Sequence, residues 1–237
     1  RCYCMSAKKV EIESKLKKST HVRFSDAPWY GKFYEIVLGG VGGIGSYVAL
    51  LLARMGHSLI IYDNDEVDET NEGGQLYKSS DKRSYKVDAI AQTVREFVSG
   101  AEISTNVQRI TAEEGMVTPI MISAFDNMTA RRIMFDKWKD YEKRELFIDG
   151  RMSAECFEVY FVTKGREEEY VKTLFEDSEI EDEPCSFKAT SHTGAGIAFV
   201  ISIGLSNYIT NKEFGEEIRE LPLCIKWYGS LLMLKNE

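Results

Sequence analysis

The sequence contains no Cys-x-x-Cys pair, and Cys2 and Cys4 sit too close together to build a four-ligand site, so a structural zinc is not expected. Its five cysteines are an odd number without an obvious secretory signal, which points to free thiols, a reducing compartment and a cytoplasmic protein. An excess of basic charge is also missing. Thirty Lys and Arg against 38 Asp and Glu leave a net charge of −8, which argues against nucleic acid or an anionic membrane surface as partner. The longest apolar stretch, Ala195 to Leu205, is broken by Ser202 and Gly204. It falls short of the ~20 residues that cross a bilayer, so no membrane segment is expected. Repeats and low-complexity linkers are absent too, and the chain reads as one continuous unit.

The 237 residues are 43% hydrophobic, enough for one sizeable α/β domain with an appended segment. Within the basic stretch Lys8 to Lys18, Ala7, Val10, Ile12 and Leu16 are spaced as in a short amphipathic helix, a docking or dimer-side element over residues 1–20. Residues 21–237 read as a Rossmann-like α/β domain. Strands are expected at Glu35–Leu38, Ser58–Tyr62, Ile103–Val107, Ile120–Phe125, Leu146–Ile148 and Phe157–Val162. Helices are expected at Tyr47–Arg54, Lys86–Val98, Ala130–Tyr141 and Thr190–Ile209. The tail Leu223–Leu234 offers one or two short strands. A mainly parallel sheet flanked by helices, with a short C-terminal antiparallel extension, follows. Six acids between Glu176 and Glu183 mark a solvated, mobile loop over about 176–189.

Gly39-Gly40-Val41-Gly42-Gly43-Ile44-Gly45-Ser46 lies between the first strand and the first helix. Without a Cβ the turn lets backbone N–H groups approach a phosphate, and the helix behind it directs a partial positive charge of roughly half an elementary unit at the anion. Gly-rich strand ends are also common punctuation in α/β folds. Here the second strand ends in Asp63, where a nucleotide-binding βαβ unit places the acid that grips a ribose. The chain is expected to bind a nucleotide.

Residues downstream decide which one. Asp63-Asn64-Asp65-Glu66-Val67 leads to Thr70-Asn71, then Gln75, then Lys86 heading a helix, then Ser123-Ala124-Phe125-Asp126-Asn127 and Arg131. Together these resemble the ThiF/MoeB/HesA family of adenylyltransferases, built like ubiquitin-activating enzymes, whose pattern runs GxGGxGS, DxDxVxxSNxxRQ, a helix-heading Lys, DxxDN and a later Arg. The resemblance covers roughly residues 23 to 210. Arg23-Phe24-Ser25 resembles the family's N-terminal Arg-containing segment, and Asp149-Gly150-Arg151 falls where the family has a strand-end glycine segment.

The resemblance implies an ATP- and Mg²⁺-dependent enzyme, in many members a homodimer. It would activate the C-terminal carboxylate of a small ubiquitin-like or sulfur-carrier protein as an acyl-adenylate, releasing pyrophosphate. Gly40, Gly42, Gly43, Gly45 and Ser46 would then surround the phosphates, and Asp63 would bind the ribose. Asn71 and Gln75 would hold the phosphate-side loop, with Asp65 a loop or capping residue beside the nucleotide. Lys86 would contact the phosphates, Asp126 would hold Mg²⁺, and Arg23 would reach the triphosphate of a partner subunit. Attack of a carboxylate on the α-phosphorus brings two anions together, so positive charge rather than a strong base is needed, as these residue types supply.

One position departs from the pattern. Gly74 stands where the family has a phosphate-contacting Arg, and Lys78, Lys82 or Arg83 are nearby substitutes. Cys185 in the acidic loop is the candidate nucleophile for a thioester or persulfide, although carboxylate neighbours oppose an acidified thiol. Cys156 and Cys224 read as core residues. His192 reads as a cap of the long helix, and His57 has no evident partner. Arg131 is expected to position Asp126 or the ribose region, and Asp126 itself could double as an N-cap. Two other classes stay open: an NAD-dependent oxidoreductase, and a nucleotide-binding interaction protein without efficient catalysis.

Overall fold

The computed structural model describes residues 23–177 and 190–237. The expected N-terminal helix, the acidic loop beyond Asp177, and Cys185 lie outside the described residues. Eight strands form one sheet in the order β3-β2-β1-β4-β5-β6-β7-β8. They are β1 Glu35–Gly39, β2 Ser58–Tyr62, β3 Ile103–Asn106, β4 Ile120–Ser123, β5 Leu146–Ser153, β6 Cys156–Thr163, β7 Cys224–Tyr228 and β8 Met233–Asn236. The pairings among β1 to β5 are parallel, and those from β5 through β8 are antiparallel. The expected α/β class, with its antiparallel C-terminal extension, is what the chain adopts.

Among the described residues five α-helices flank the sheet: α1 Gly45–Met55, α2 Lys86–Phe97, α3 Met128–Asp140, α4 Glu167–Val171 and α5 Ser191–Phe214. Successive residues of a strand face opposite ways, and both faces here are covered, so the strands read as unbroken apolar runs. Ile36 and Leu38 join one core with Leu52 of α1, Ile90 of α2 and Ile197 and Ile201 of α5. Val37 joins the other with Phe135 and Trp138 of α3, Phe147 of β5 and Tyr170 of α4. Phe135 lies 4.6 Å from Tyr170 and 5.3 Å from Phe147, ring centre to ring centre.

The long helix corrects one expectation. With 24 residues and a mean hydropathy of 1.3 over its most apolar window, α5 is long and apolar enough to cross a membrane by length and composition, and it runs past the expected end at Ile209 to Phe214. Its last turn is polar, and Asn211 holds it by accepting the N–H groups of Ile218 and Arg219 at 3.1 and 2.9 Å. The apolar surface serves the protein interior, for α5 lies against α1, β5 and β6.

His57, just beyond α1, does have a partner. It is buried, Nδ1 accepts the N–H of Tyr34 at 3.1 Å, and Nε2 has none among the described residues. Burial lowers its pKa from 6.5 to about 4. The unfolded chain therefore takes up a proton first, so this contribution to stability is complete above pH 6.5 and is lost as the pH falls towards 4. Between pH 7.5 and 5.0 His57 should cost the fold about 2 kcal/mol. Urea unfolding of His57→Asn, in which a side-chain oxygen replaces Nδ1, should show that much less pH dependence; an unchanged difference would remove the assignment.

Candidate functional site

Strand order reverses direction between β1 and β4: the chain leaves β1 for β2 on one side, and β4 for β5 on the other. In such sheets the crevice beyond the carboxyl ends of the two diverging strands is where ligands bind. The glycine turn follows β1, and Ala124 to Asn127 follow β4. Gly40 has φ +82° and donates its N–H to Tyr62 O at 2.8 Å; a Cβ there would lie 2.8 Å from Ala124 O. At Gly45 a Cβ would stand 1.9 Å from Gly40 O. Gly42 differs, since its Cβ would meet only Gln75 Oε1, at an ordinary contact distance of 3.8 Å. Ile44, the N-cap of α1, offers no side-chain cap; the first-turn N–H groups of Ser46 and Tyr47 donate instead to Gly42 O at 3.1 Å and Ile44 O at 3.2 Å.

Asp63 fastens this turn. Its Oδ2 accepts the N–H of Val41 and its Oδ1 that of Asp65, both at 2.9 Å. Burial pushes its carboxyl up, opposed by these two N–H groups and by Lys86. Lys86 heads α2 with a buried stem, and its Nζ reaches Asp65 at 2.9 Å. Asp65 is largely exposed, whereas the Lys86 side chain is only 10% exposed. Tyr77 joins the two parts by donating its hydroxyl to Val41 O at 2.6 Å.

The loop before Lys86 is held by its own polar groups. Asn71 Oδ1 accepts the N–H of Asp68, whose carboxylate accepts those of Thr70 and Asn71 in return. Ser46 is fully buried and its hydroxyl accepts the N–H of Leu76 at 3.1 Å, which ties this loop to α1. Gln75 Oε1 is buried without a partner among the described residues. It lies beside Gly42. Lys78 pairs with Glu96 and Lys82 with Glu69, around a cavity of about 300 Å³ that Asp68, Glu72 and Ser79 also line. Both lysines are thus engaged with acids rather than directed to the crevice, and the charge missing at Gly74 is not made good by them.

On the other rim Asp126 is exposed, and among the described residues its Oδ1 accepts only from Asn127 Nδ2, at 3.2 Å. The N-cap of α3 is Asn127, whose Oδ1 accepts the N–H of Ala130 at 2.8 Å, so Asp126 is free of the capping duty the sequence allowed it. Buried Arg131 donates to Asp149, to Gly150 O at 2.9 Å and to Phe125 O, the carbonyl before Asp126. Asp149 also receives Arg151 Nε at 2.7 Å and the Tyr170 hydroxyl at 3.0 Å. Burial works to raise the Asp149 pKa, but the two guanidinium groups outweigh it and hold the carboxyl below its ordinary range. This role of Asp149 and Arg151 is not among the sequence-based expectations. Its signal was there, two opposite charges inside a strand whose start is wholly apolar.

Arg23 is not gathered with these residues in one chain. Phe24 stacks on Trp29 at 5.5 Å, Tyr30 meets Phe33 at 5.8 Å, and Phe33 meets His57 at 6.5 Å. That row of rings ends at the C-terminus of α1, a helix of 11 residues whose other end carries the glycine turn, about 16 Å away at 1.5 Å per residue. His192 is exposed, and Thr190 rather than His192 caps α5, by accepting the N–H of Thr193. Cys224 is buried and its thiol is pushed up to about 11 by burial, whereas Cys156 is only half-buried.

The model of the ThiF family matches residues 32–212. No curated protein matches the chain. Among solved structures, E. coli MccB with ATP is 15% identical with a TM-score of 0.64, over 86% of this chain and 63% of that one. The structure of the Microcin C7 biosynthetic enzyme MccB with N-formylated MccA is 16% identical with a TM-score of 0.66, over 86% and 64%. PaaA is 17% identical with a TM-score of 0.68, over 97% and 73%. The chain thus spans less than two thirds of MccB, and at these identities the likeness is one of fold. Glycine turn, Asp63, Lys86 and the Asp126 segment all lie within the matched residues, and the chain belongs to the ThiF family.

Proposed function

We propose that the chain is an ATP-dependent adenylyltransferase that activates the C-terminal carboxylate of a small ubiquitin-like or sulfur-carrier protein or peptide. The observation that carries this reading is the β1–β4 switch point, with the glycine turn after β1 fastened by Asp63, Lys86 paired to Asp65 two residues beyond Asp63, and the exposed Asp126 in the segment after β4. ATP and MccA in the names of the MccB structures support a nucleotide and a small polypeptide as ligands. In the proposed reaction a carboxylate oxygen of the acceptor bonds to the α-phosphorus, the bond to the bridging oxygen breaks, and pyrophosphate leaves with its electron pair. Backbone N–H groups of the turn and Lys86 offset the negative charge that gathers on the phosphates.

Mg²⁺ fits this arrangement. Among the described residues no three His, Cys, Asp or Glu side chains gather into a cage, and Mg²⁺ is usually held by one or two carboxylates together with substrate phosphates. Asp126 would hold the ion, which supplies charge neutralisation at the phosphates. Arg23, in the segment whose rings lead to the far end of α1, fits a homodimer in which it serves the partner, and Cys185 would receive the activated acyl group. A cytoplasmic location belongs to the same proposal.

A second reading, nucleotide binding without efficient turnover, is favoured by Gly74 and by the engaged Lys78 and Lys82. ATP–pyrophosphate exchange with carrier proteins ending in Gly-Gly separates the two. Exchange that rises with the carrier supports the transferase; tight ATP binding without exchange for any carrier supports the second reading. In the same reactions, a covalent adduct seen by mass spectrometry and lost in Cys185→Ser would identify the nucleophile.

A further inference from the structure

Ser123 of β4 and Asp149 of β5 are register partners on parallel strands, so their side chains leave the same face of the sheet. Both are fully buried. The Ser123 hydroxyl has no partner among the described residues, whereas Asp149 holds Arg131 and Arg151. Arg131 then grips the carbonyls of Gly150, within β5, and of Phe125, two residues beyond β4. Beyond Asp126, the Asp177 carboxylate accepts the N–H groups of Met128 and Thr129 at 2.6 and 3.1 Å. The main chain is therefore fixed on both sides of Asp126 while the Asp126 carboxylate stays exposed.

An ion pair is not the economical way to fill a core, since apolar side chains of similar volume often stabilise as well or better. What apolar side chains cannot do is tie one carboxylate and two carbonyls in fixed directions, which a planar guanidinium does. We propose that Asp149 is a positioning residue that acts through Arg131 to fix the Phe125 carbonyl, and so sets where the Asp126 carboxylate meets the metal on a bound nucleotide. Arg151 braces the same carboxylate from the far side, donating to Thr173 O at 2.9 Å. This inference rests on the adenylyltransferase reading for the ligand of Asp126; the clamp itself does not.

The test is equilibrium binding of a non-hydrolysable ATP analogue to the full chain, with and without Mg²⁺, alongside hydrogen exchange of the Asp126 and Asn127 amides. Arg131→Lys keeps the charge but not the fork, and Asp149→Asn keeps the shape. Both should hold the metal-free affinity within about twofold and lose about tenfold of the affinity gained from Mg²⁺, the scale seen when a group orienting a metal ligand is removed. Their amide exchange should quicken by at least as much. The double exchange Ser123→Asp with Asp149→Ser moves the carboxylate one strand across in register and should restore both readouts. A folded Arg131→Lys with the full Mg²⁺ gain and unchanged exchange overturns the proposal, even if Asp149→Asn fails to fold. Should the wild type bind no analogue, the adenylyltransferase reading falls, and amide exchange alone decides the clamp.

Discussion

Lys86→Met should slow ATP–pyrophosphate exchange by about 100- to 1,000-fold, the scale of removing one preorganised donor from a developing anion. Methionine keeps the length of the buried stem and favours the helix much as lysine does, so the change removes charge and little else. The partner left behind, Asp65, is 58% exposed and can take up water, so the fold should lose less than about 1 kcal/mol. Rate and stability therefore separate in this variant. Exchange within threefold of the wild type would reduce Lys86 to a surface ion pair that happens to border the crevice. A lost rate accompanied by a lower urea midpoint would make it a structural residue instead.

The second large effect lies on a different element. Gly194 sits in the first turn of α5, and a Cβ there would stand 2.1 Å from Gly43 O, a main-chain atom of the glycine turn. Alanine gains about 1 kcal/mol over glycine inside a helix, while overpacking costs typically 1–3 kcal/mol and more where backbone must move. At this distance the contact wins. Gly194→Ala should lower stability by about 2 kcal/mol and weaken ATP-analogue affinity at least tenfold, because the turn must shift to make room. Gly196→Ala, two residues on, supplies the contrast. Its Cβ would lie 3.4 Å from the Phe157 ring, an ordinary contact, so helix propensity should decide and the urea midpoint should hold or rise. Equal behaviour of the two variants would show that the α5 contact does not shape the turn.

What could be read from the sequence was local. Glycines 40 to 45, Asp63 and the helix-heading Lys86 stand within one βαβα stretch, where period and spacing carry the geometry, and the structure joins them as Asp63 to Val41 and Lys86 to Asp65. Residues brought together by the sheet were not legible. Ser123, Arg131 and Asp149 come from two strands and a helix, and only the β4–β5 register makes neighbours of them. The direction of Phe157–Val162 was equally hidden, because apart from Glu158 the run is apolar and does not distinguish a parallel from an antiparallel neighbour. Short α4 escaped notice because its Glu-Glu-Glu start resembles a surface loop until Glu167 is seen to bind Arg144 at 3.0 Å.

The closeness of Gly194 to Gly43 also has a consequence for how the molecule comes into being. Contacts between distant parts of a chain form late, since a long loop must close before they reward it. During synthesis the parallel strands of the first half leave the ribosome with the turn already made but its outer side uncovered. Only when α5 arrives is that side sealed. A turn that precedes α5 by about 150 residues is thus completed only when that helix arrives, and a nascent molecule halted before Ser191 would carry the phosphate motif without the wall that shapes it.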